Sequence, residues 1–433
     1  MGSPVRRLPI PFFMAEDLLT VRLEKLAYGG DALGRLPDGR AVFVPFGLPG
    51  EIVRVRIVEE KRGHVRAEPV EVVEPAARRI AARCKHFGVC GGCHYQHLPY
   101  ESQLSAKAEI LRDQLIRIGK IAAPPLSPII ASPDPWNYRN HIQFHLTNEG
   151  KLGYIAVDGR SVVPVSECHL PEPALNGLWP TLEFDPGLGP ERVALRSGLD
   201  GEIMLVLESD STDTPELELE ADLSVVHLSG EDAVVMAGDR FLLMSVKDRL
   251  FRVSAGSFFQ VNTGMAEKMV EHLLTRLPVT SSTTLLDVYC GVGLFSAFFA
   301  PRVGRLIGVE LSASACEDFA VNLDEFDNVE LYEAPAEDAL PGLDVLPEVV
   351  IVDPPRAGLE RQALDALAAL GPGRIAYVSC DPSTLGRDAA RLIASGYELV
   401  DVTPFDLFPQ TSSIESISLF QKPQHAGYPP NPK

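Results

Sequence analysis

Cys380 is the residue on which chemistry can be built. It follows the apolar run Ile375-Ala376-Tyr377-Val378, which reads as a short buried strand. It precedes Asp381-Pro382-Ser383-Thr384, a run of cap residues opening a helical pattern from Leu385 to Ile393. The thiol is therefore placed at a strand's C-terminal end, where open α/β sheets bind ligands. A helix N-terminus beside it would favour the thiolate, the nucleophilic form. A lone cysteine is more often an inert core residue, so its companions decide the matter.

Those companions are carboxylates at other strand ends. Asp287 lies in the strand Thr284–Val288, Glu310 ends Leu306–Glu310, and Asp353 follows Val349–Val352. Tyr289-Cys290-Gly291-Val292-Gly293 reads as a tight strand-to-helix turn, and Glu310, about 20 residues on, can accept hydrogen bonds from ribose hydroxyls. There is no GxGxxG and no Walker lysine, which disfavours a dinucleotide or a triphosphate. A nucleoside ligand without phosphate, such as S-adenosylmethionine, fits better. In Asp353-Pro354-Pro355-Arg356 the paired prolines fix the carboxylate. Arginine follows them where an aromatic would hold a flipped base, which argues against methylation of an exocyclic amine.

Cys380 then acquires a task. Carbon 5 of a pyrimidine is a poor nucleophile, but a thiolate added at carbon 6 makes an enolate able to attack a methyl sulfonium. A base must afterwards remove the proton at carbon 5. Glu415, in the apolar setting of Ser413-Ile414-Glu415-Ser416, is the candidate, and that setting would raise its pKa.

A second constellation is Cys84, Cys90 and Cys93, at C-x5-C-x2-C spacing. Gly91-Gly92 allows the backbone to fold closely around a bound centre. Cys168 is the best fourth ligand, because Cys290, Cys316 and Cys380 lie in the presumed catalytic half. Four thiolates suit an iron–sulfur cluster or a structural zinc, and the x5 gap is less usual for zinc. His86, His94 and His97 are further possible ligands, although solvated histidines are the plainer reading.

The elements that must position these groups follow a clear order. Residues 17–75 alternate apolar and charged side chains between Gly- and Pro-containing turns, predicting five short strands and an OB-like barrel. Arg54, Arg56, Lys61, Arg62 and Arg66 tilt that barrel toward RNA. Residues 101–120 read as an amphipathic helix with Leu104, Ala108, Leu111, Leu115 and Ile118 on one face. Residues 126–245 alternate short strands with turns, the acidic stretch Glu208–Asp222 reading as a solvated loop or edge. Within them, Trp136-Asn137-Tyr138-Arg139-Asn140 mixes groups able to clamp nucleotides with those of a plain turn. From about residue 250 strands and helices alternate strictly, as in a doubly wound sheet.

Composition bounds the rest. The 433 residues can fill two or three domains, and no run of about 18 apolar residues predicts a membrane span. Met1–Met14 is too short and Pro-broken for a signal peptide. Seven unevenly spaced cysteines in a long chain point to a reducing cytoplasm rather than a disulfide framework. The net charge of −20 is uneven: residues 1–120 hold 19 Lys and Arg against 14 Asp and Glu, the remainder 20 against 45. A basic front on an acidic body is compatible with local RNA contact.

Together these stretches resemble the RNA 5-methyluridine (uracil-C5) methyltransferase family. The match runs from about residue 17 to 422. It includes the barrel, Cys84, Cys90, Gly91-Gly92-Cys93, Gln96 through Tyr100, Ser257 to Asn262, Asp287 to Gly293, Asp353 to Arg356, Ser379 to Pro382, and Phe408-Pro409-Gln410-Thr411 with Glu415. The resemblance implies an α/β fold: a Rossmann-like class I methyltransferase domain with an N-terminal OB-like β-barrel (TRAM) and a β-rich central domain. It implies a barrel over 16–76, a central iron–sulfur domain over 77–94 and 125–250, and a methyltransferase domain over 95–124 and 251–424. Cys380 would be the nucleophile and Glu415 the base. Gln260, Tyr289, Glu310 and Asp353 would bind S-adenosylmethionine, with Gln260 also facing the uracil. Cys84, Cys90, Cys93 and Cys168 resemble the branch that carries a [4Fe-4S] cluster and usually modifies 23S ribosomal RNA. Ser413 stands where the family often has histidine. The expectation is a monomeric enzyme acting on RNA in the cytoplasm, away from membranes. Its rivals are a transfer-RNA uridine enzyme, a cytosine-5 enzyme and a catalytically silent RNA-binding iron–sulfur protein.

Overall fold

The computed structural model describes residues 18–423 except 188, 217, 219–221 and 231. Met1–Met14, read above as no leader, lies outside them, as does part of the acidic stretch Glu208–Asp222. The chain divides into two units. One runs up to Ala81 and adds His97–Pro99; the other holds Ala82–Gln96 and everything from Tyr100 on.

In the first unit, alternation of buried and exposed side chains drives five strands: β1 (Leu19–Leu26), β2 (Ala32–Arg35), β3 (Ala41–Val44), β4 (Ile52–Glu60) and β5 (His64–Glu74). They close into a barrel in the order β1-β2-β3-β5-β4, around Val21, Leu23, Val42, Val53, Val55 and Val65. On the outside, Arg54 pairs with Glu71 at 3.1 Å, Lys61 with Glu59 at 3.0 Å and Arg66 with Asp31 at 3.2 Å. Much of the basic character seen in the sequence is thus balanced by neighbouring acids. The barrel's exit is held by Glu51, whose side chain is wholly buried. It accepts hydrogen bonds from the amides of Leu48 and Ala76 and two from the Arg79 guanidinium, at 2.6 and 2.8 Å.

The second unit carries a seven-stranded sheet built from β6 (His141–Leu146), β7 (Leu152–Ile155), β8 (Val162–Pro164), β9 (Arg192–Ser197), β10 (Ile203–Glu208), β11 (Ser224–Ser229) and β12 (Asp232–Ala237). Their order is β12-β11-β10-β9-β6-β7-β8. A hairpin of β13 (Phe241–Val246) and β14 (Arg249–Ser254) follows.

The catalytic half is a second seven-stranded sheet of β15 (Thr284–Val288), β16 (Arg305–Glu310), β17 (Val329–Glu333), β18 (Val349–Val352), β19 (Arg374–Ser379), β20 (Glu398–Phe405) and β21 (Glu415–Gln421). The order is β17-β16-β15-β18-β19-β21-β20. β17 goes unmarked in the sequence because its Val-Glu-Leu-Tyr-Glu pattern belongs to a partly exposed edge strand. The first five strands are parallel, and β15, β16, β18 and β19 are largely apolar and buried, as strands covered on both faces must be. β21 runs antiparallel to both its neighbours.

The helix predicted over 101–120 is α1 (Tyr100–Arg117), but its buried face differs from the apolar stripe. Gln103, Lys107 and Gln114 are buried with Leu104, Ile110, Leu111 and Leu115, whereas Ile118 is exposed. Gln103 and Lys107 are recruited by partners more than 290 residues away in sequence.

Replacing Arg79 with alanine leaves the Glu51 carboxylate buried without its cation, and is expected to destabilise the barrel by about 3–5 kcal/mol. Urea-dependent hydrogen exchange of the β4 amides measures this. Although burial works against the charge, Arg79 and the backbone amides hold the Glu51 carboxyl below its usual range. The stabilisation is therefore complete above the unfolded value of 4.5 and is lost as pH falls through the lower folded value.

Candidate active site

The register of the second sheet brings the candidate residues together. Val288 pairs with Val309 on one side and Val352 on the other, so Tyr289, Glu310 and Asp353 leave three neighbouring parallel strands at the same level. Ser379 pairs with Ser416 antiparallel, which sets Cys380, the next residue, opposite Glu415. Glu415 also pairs with Phe405 of β20, so it stands on an interior strand rather than an edge, 4% exposed. Its Oε1 atom is buried with no hydrogen-bond partner among the described residues.

These groups share a dry and acidic environment. Burial and the nearby Asp353 carboxyl hold Glu415 well above its usual range, while Arg356 works the other way. Burial, with Asp287 and Glu310 adding repulsion, brings Asp353 to about 7. Burial also brings Asp287 to about 7, against the hydrogen bond from Ser296 Oγ at 2.6 Å; its Oδ1 atom has no partner among the described residues. Cys380, half-buried, is pushed up to about 12 by burial and by Glu415 and Asp353, with Arg356 opposing.

This corrects the sequence expectation of a thiolate favoured by the helix end. The helix α8 (Pro382–Ala394) does begin two residues after Cys380, but Asp381 caps it. The Asp381 carboxylate already accepts from the amides of Ser383 and Thr384, at 2.8 and 3.1 Å. The N-terminal donors are spent on a side chain that is itself an anion. Arg356 is the cation that favours the ionised thiol, and the sequence marked it only as the absence of an aromatic.

Of the residues expected to bind the donor, Tyr289 and Glu310 lie at the Gly-rich turn. Tyr289 holds a φ of +62°, a strained conformation for an aromatic residue, immediately after β15. Glu310 ties the turn to the next strand: its Oε2 accepts from the Gly291 amide at 2.9 Å, and its Oε1 from the amides of Leu311 and Ser312. Gly293 has a φ of +88°, and a Cβ there would meet Leu323 at 2.4 Å, so only glycine fits. It opens α4 (Leu294–Phe299). Gln260 is 8% exposed, on the segment ahead of α3 (Thr263–Arg276). Asn262 caps that helix and donates through Nδ2 to the Leu407 carbonyl at 3.1 Å, joining the Gln260 segment to the loop that leads to Glu415.

That loop, residues 406–413, is anchored by residues the sequence pattern did not single out. Lys107 and Asp406 are both fully buried and meet at 2.5 Å, and Lys107 also donates to the Phe408 carbonyl at 2.9 Å. Gln103 exchanges hydrogen bonds with Gln410 through its Nε2 and Oε1 atoms, each at 3.0 Å. Polar residues recurring at helical spacing on an otherwise apolar face were the available signal. Periodicity cannot say whether such residues face water or a buried partner.

Cys84, Cys90, Cys93 and Cys168 line one cavity of about 340 Å³, together with Gln96, Arg139, Val261 and Phe408. Gly91 is required beside it: a Cβ there would meet the Ile155 carbonyl oxygen at 2.8 Å. Two backbone amides donate to these sulfurs, His86 to Cys84 and Gly92 to Cys90, each at 3.4 Å. Burial raises all four thiols, Cys93 to about 12. Four part-buried cysteines around one space, two of their sulfurs already receiving N–H donors, are a donor set that fits a cationic centre. Among the described residues, however, no three or more His, Cys, Asp or Glu side chains are gathered as ligands of one metal ion. Of the nearby aromatic motif, Trp136 does not stand free to stack a base: Arg83 lies 5.2 Å from its ring centroid and His169 meets it edge-on.

Comparison with known proteins accords with this geometry. The family described as tRNA (uracil-5-)-methyltransferase matches residues 218–423, and the TRAM domain matches residues 17–70. An uncharacterized RNA methyltransferase of Thermosynechococcus vestitus is 33% identical, over 93% of this chain and 97% of its own. One of Aquifex aeolicus is 35% identical, over 94% and 99%. The crystal structure of the Pyrococcus abyssi tRNA (uracil-54, C5)-methyltransferase has a TM-score of 0.70 at 24% identity, covering 93% of this chain and all of that one, and so shares the fold. With relatives matched along nearly its whole length and both family regions in place, the chain belongs to the RNA (uracil-5) methyltransferases.

Proposed function

We propose that this enzyme methylates carbon 5 of a uridine in 23S ribosomal RNA through a covalent cysteine adduct at carbon 6. The observation that carries the mechanism is the β19–β21 register, which sets Cys380 opposite Glu415 with Asp353 on the adjoining strand end. The acidic cluster supports S-adenosylmethionine as donor, because its carboxyls raise one another until a cation joins them. The Pyrococcus abyssi neighbour was solved with S-adenosyl-L-homocysteine. Tyr289, Glu310, Asp353 and Gln260 would hold the donor, which supplies an electrophilic methyl on a sulfonium.

Cys380, as thiolate, adds to carbon 6 and drives the electron pair toward carbon 5. Carbon 5 forms its bond to the methyl, and the pair of the broken sulfur–methyl bond stays with the departing thioether. Glu415 takes the proton from carbon 5. The electrons of that carbon–hydrogen bond restore the 5,6 double bond as the sulfur–carbon 6 bond breaks. One proton is released per methyl transferred. The uridine must leave its stack to reach Cys380.

The four cysteines support a [4Fe-4S] cluster. The four cysteines line one cavity, two of their sulfurs accept backbone amides, and the x5 gap between Cys84 and Cys90 is less usual for zinc than for a cluster. The cluster would cross-link the 84–93 segment to Cys168. The 23S assignment rests on the resemblance of this cysteine set to the cluster-bearing branch. A transfer-RNA substrate is the second reading, favoured by the matching family's description and by the Pyrococcus neighbour.

Methyl-labelled S-adenosylmethionine with unmodified total RNA is expected to place 5-methyluridine in the large ribosomal RNA; label in transfer RNA would establish the second reading. Cys380→Ala should abolish methylation and leave donor binding nearly intact, and any residual turnover removes the covalent mechanism. Glu415→Gln should lower turnover by about 10²–10⁴-fold and accumulate a denaturation-resistant RNA adduct on gels. Iodoacetamide alkylation of Cys380 in the ligand-free protein, followed by peptide mass spectrometry, should rise about tenfold per pH unit from 7 to 10 without a plateau. Arg356→Ala should slow it further. Anaerobically prepared protein should contain iron and acid-labile sulfide in near-equal amounts, and a zinc-only preparation would refute the cluster.

A further inference from the structure

The sequence of Trp136–Asn140 suits either a nucleotide clamp or a plain turn. Its hydrogen bonds support neither. The Asn137 amide donates to the His169 carbonyl and the Arg139 amide to the Leu170 carbonyl, both at 2.9 Å, and Glu172 donates back to Arg139. The segment is therefore zipped to the residues that directly follow Cys168. From that base its side chains reach in three directions. Arg139 lines the cysteine cavity, where its charge lowers Cys93 and Cys168 against their burial. Tyr138, 5% exposed, donates its hydroxyl to the Pro409 carbonyl at 3.0 Å. Asn140, 2% exposed, donates through Nδ2 to the Gln260 carbonyl and to Thr263 Oγ1, each at 3.0 Å, while its amide donates to the Val261 carbonyl.

The other side of the cysteine cavity reaches the same loop. The amides of His94 and Tyr95, just after Cys93, both donate to the Gln410 carbonyl, at 2.9 and 3.0 Å. Phe408 and Val261 themselves form part of the cavity wall. The cysteine-bearing segments thus reach both parts of the catalytic machinery that no strand of the catalytic sheet holds: the 406–413 loop directly through His94 and Tyr95, and the same loop and the Gln260 segment by way of the 136–140 segment paired to residues 169–172.

We propose that Tyr138 and Asn140 are positioning residues for methyl transfer. Tyr138 sets the loop that delivers Glu415, Asn140 sets Gln260, and both are located by the cysteine centre through the 137–139 to 169–172 pairing. This rests on the uracil-methylation reading above. Misplacing a catalytic group by about 1 Å can cost about 10²-fold in rate, so one well-placed hydroxyl matters even where it adds little to stability. Tyr138 touches Pro409 and not the reacting atoms, so its loss should act on the base step and leave the thiol step largely intact.

The full-length protein carrying Tyr138→Phe tests this, because it removes one hydroxyl and keeps the ring. Expected are a kcat lower by about 10–100-fold, KM values for RNA and donor within about twofold, and a larger covalently bound RNA fraction than wild type in a single turnover. Hydrogen–deuterium exchange should quicken at residues 407–413 and stay unchanged in β15 and β18, with iron content and melting temperature as in wild type. Asn140→Asp, which turns two donors into acceptors, should instead raise the donor KM. Equal kcat and adduct fraction in wild type and Tyr138→Phe would overturn the proposal. So would a loss of kcat in Tyr138→Phe that tracks a loss of iron or of melting temperature. A wild-type protein that transfers no methyl to any RNA would instead overturn the functional reading, and this proposal with it.

Discussion

The site depends on one pairing, the antiparallel insertion of β21 between β19 and β20. Because Ser379 pairs with Ser416, the residue leaving β19 and the residue entering β21 are neighbours across the ladder. A thiol and a carboxylate 35 positions apart in sequence, Cys380 and Glu415, are placed by backbone hydrogen bonds rather than by long flexible side chains. A shift of one residue would turn Glu415 to the other face of the sheet. Burial of β21 on both sides makes that shift costly, since every residue from Glu415 to Phe420 is buried.

The same burial sets the electrostatics. Asp287, Asp353 and Glu415 are all raised, and burial is the first cause for each. Carboxyls crowded in a dry space favour the neutral form until a positive charge compensates them. A cationic donor and a site of this kind stabilise each other. Burial and the neighbouring Glu415 and Asp353 carboxyls likewise favour the protonated, less nucleophilic form of the Cys380 thiol. Capping of α8 by Asp381 has the same sense, because it spends the amides that would otherwise favour the thiolate.

A rigid sheet still leaves the approach to Glu415 as a loop. Here the loop is held by α1 through Lys107 and Gln103, by the segment after Cys93 through His94 and Tyr95, by Tyr138 of the 136–140 segment, and by Asn262 at the start of α3. Buried charges such as Lys107 and Asp406 are costly to desolvate and add little net stability, but they accept few alternative arrangements. Their use around residues 406–413 favours a single loop position over extra stability.

Local pattern was enough to read the strictly apolar strands of the catalytic sheet, the Gly-rich turn, the barrel's alternation and the order of the motifs. Each is written in neighbouring residues, as periodicity, turn chemistry or spacing. Cys380, Asp353 and Glu310 were legible for the same reason, since strand ends can be recognised locally. Tertiary structure alone decided the rest. Glu415 belongs to an interior strand because β21 inserts between two others, a topology no local pattern encodes. The buried face of α1 includes Lys107 and Gln103 because their partners lie about 300 residues further along the chain. Tyr138 and Asn140 bind backbone carbonyls, and a carbonyl carries no mark of its residue's identity, so such a bond leaves no trace in the sequence of its acceptor.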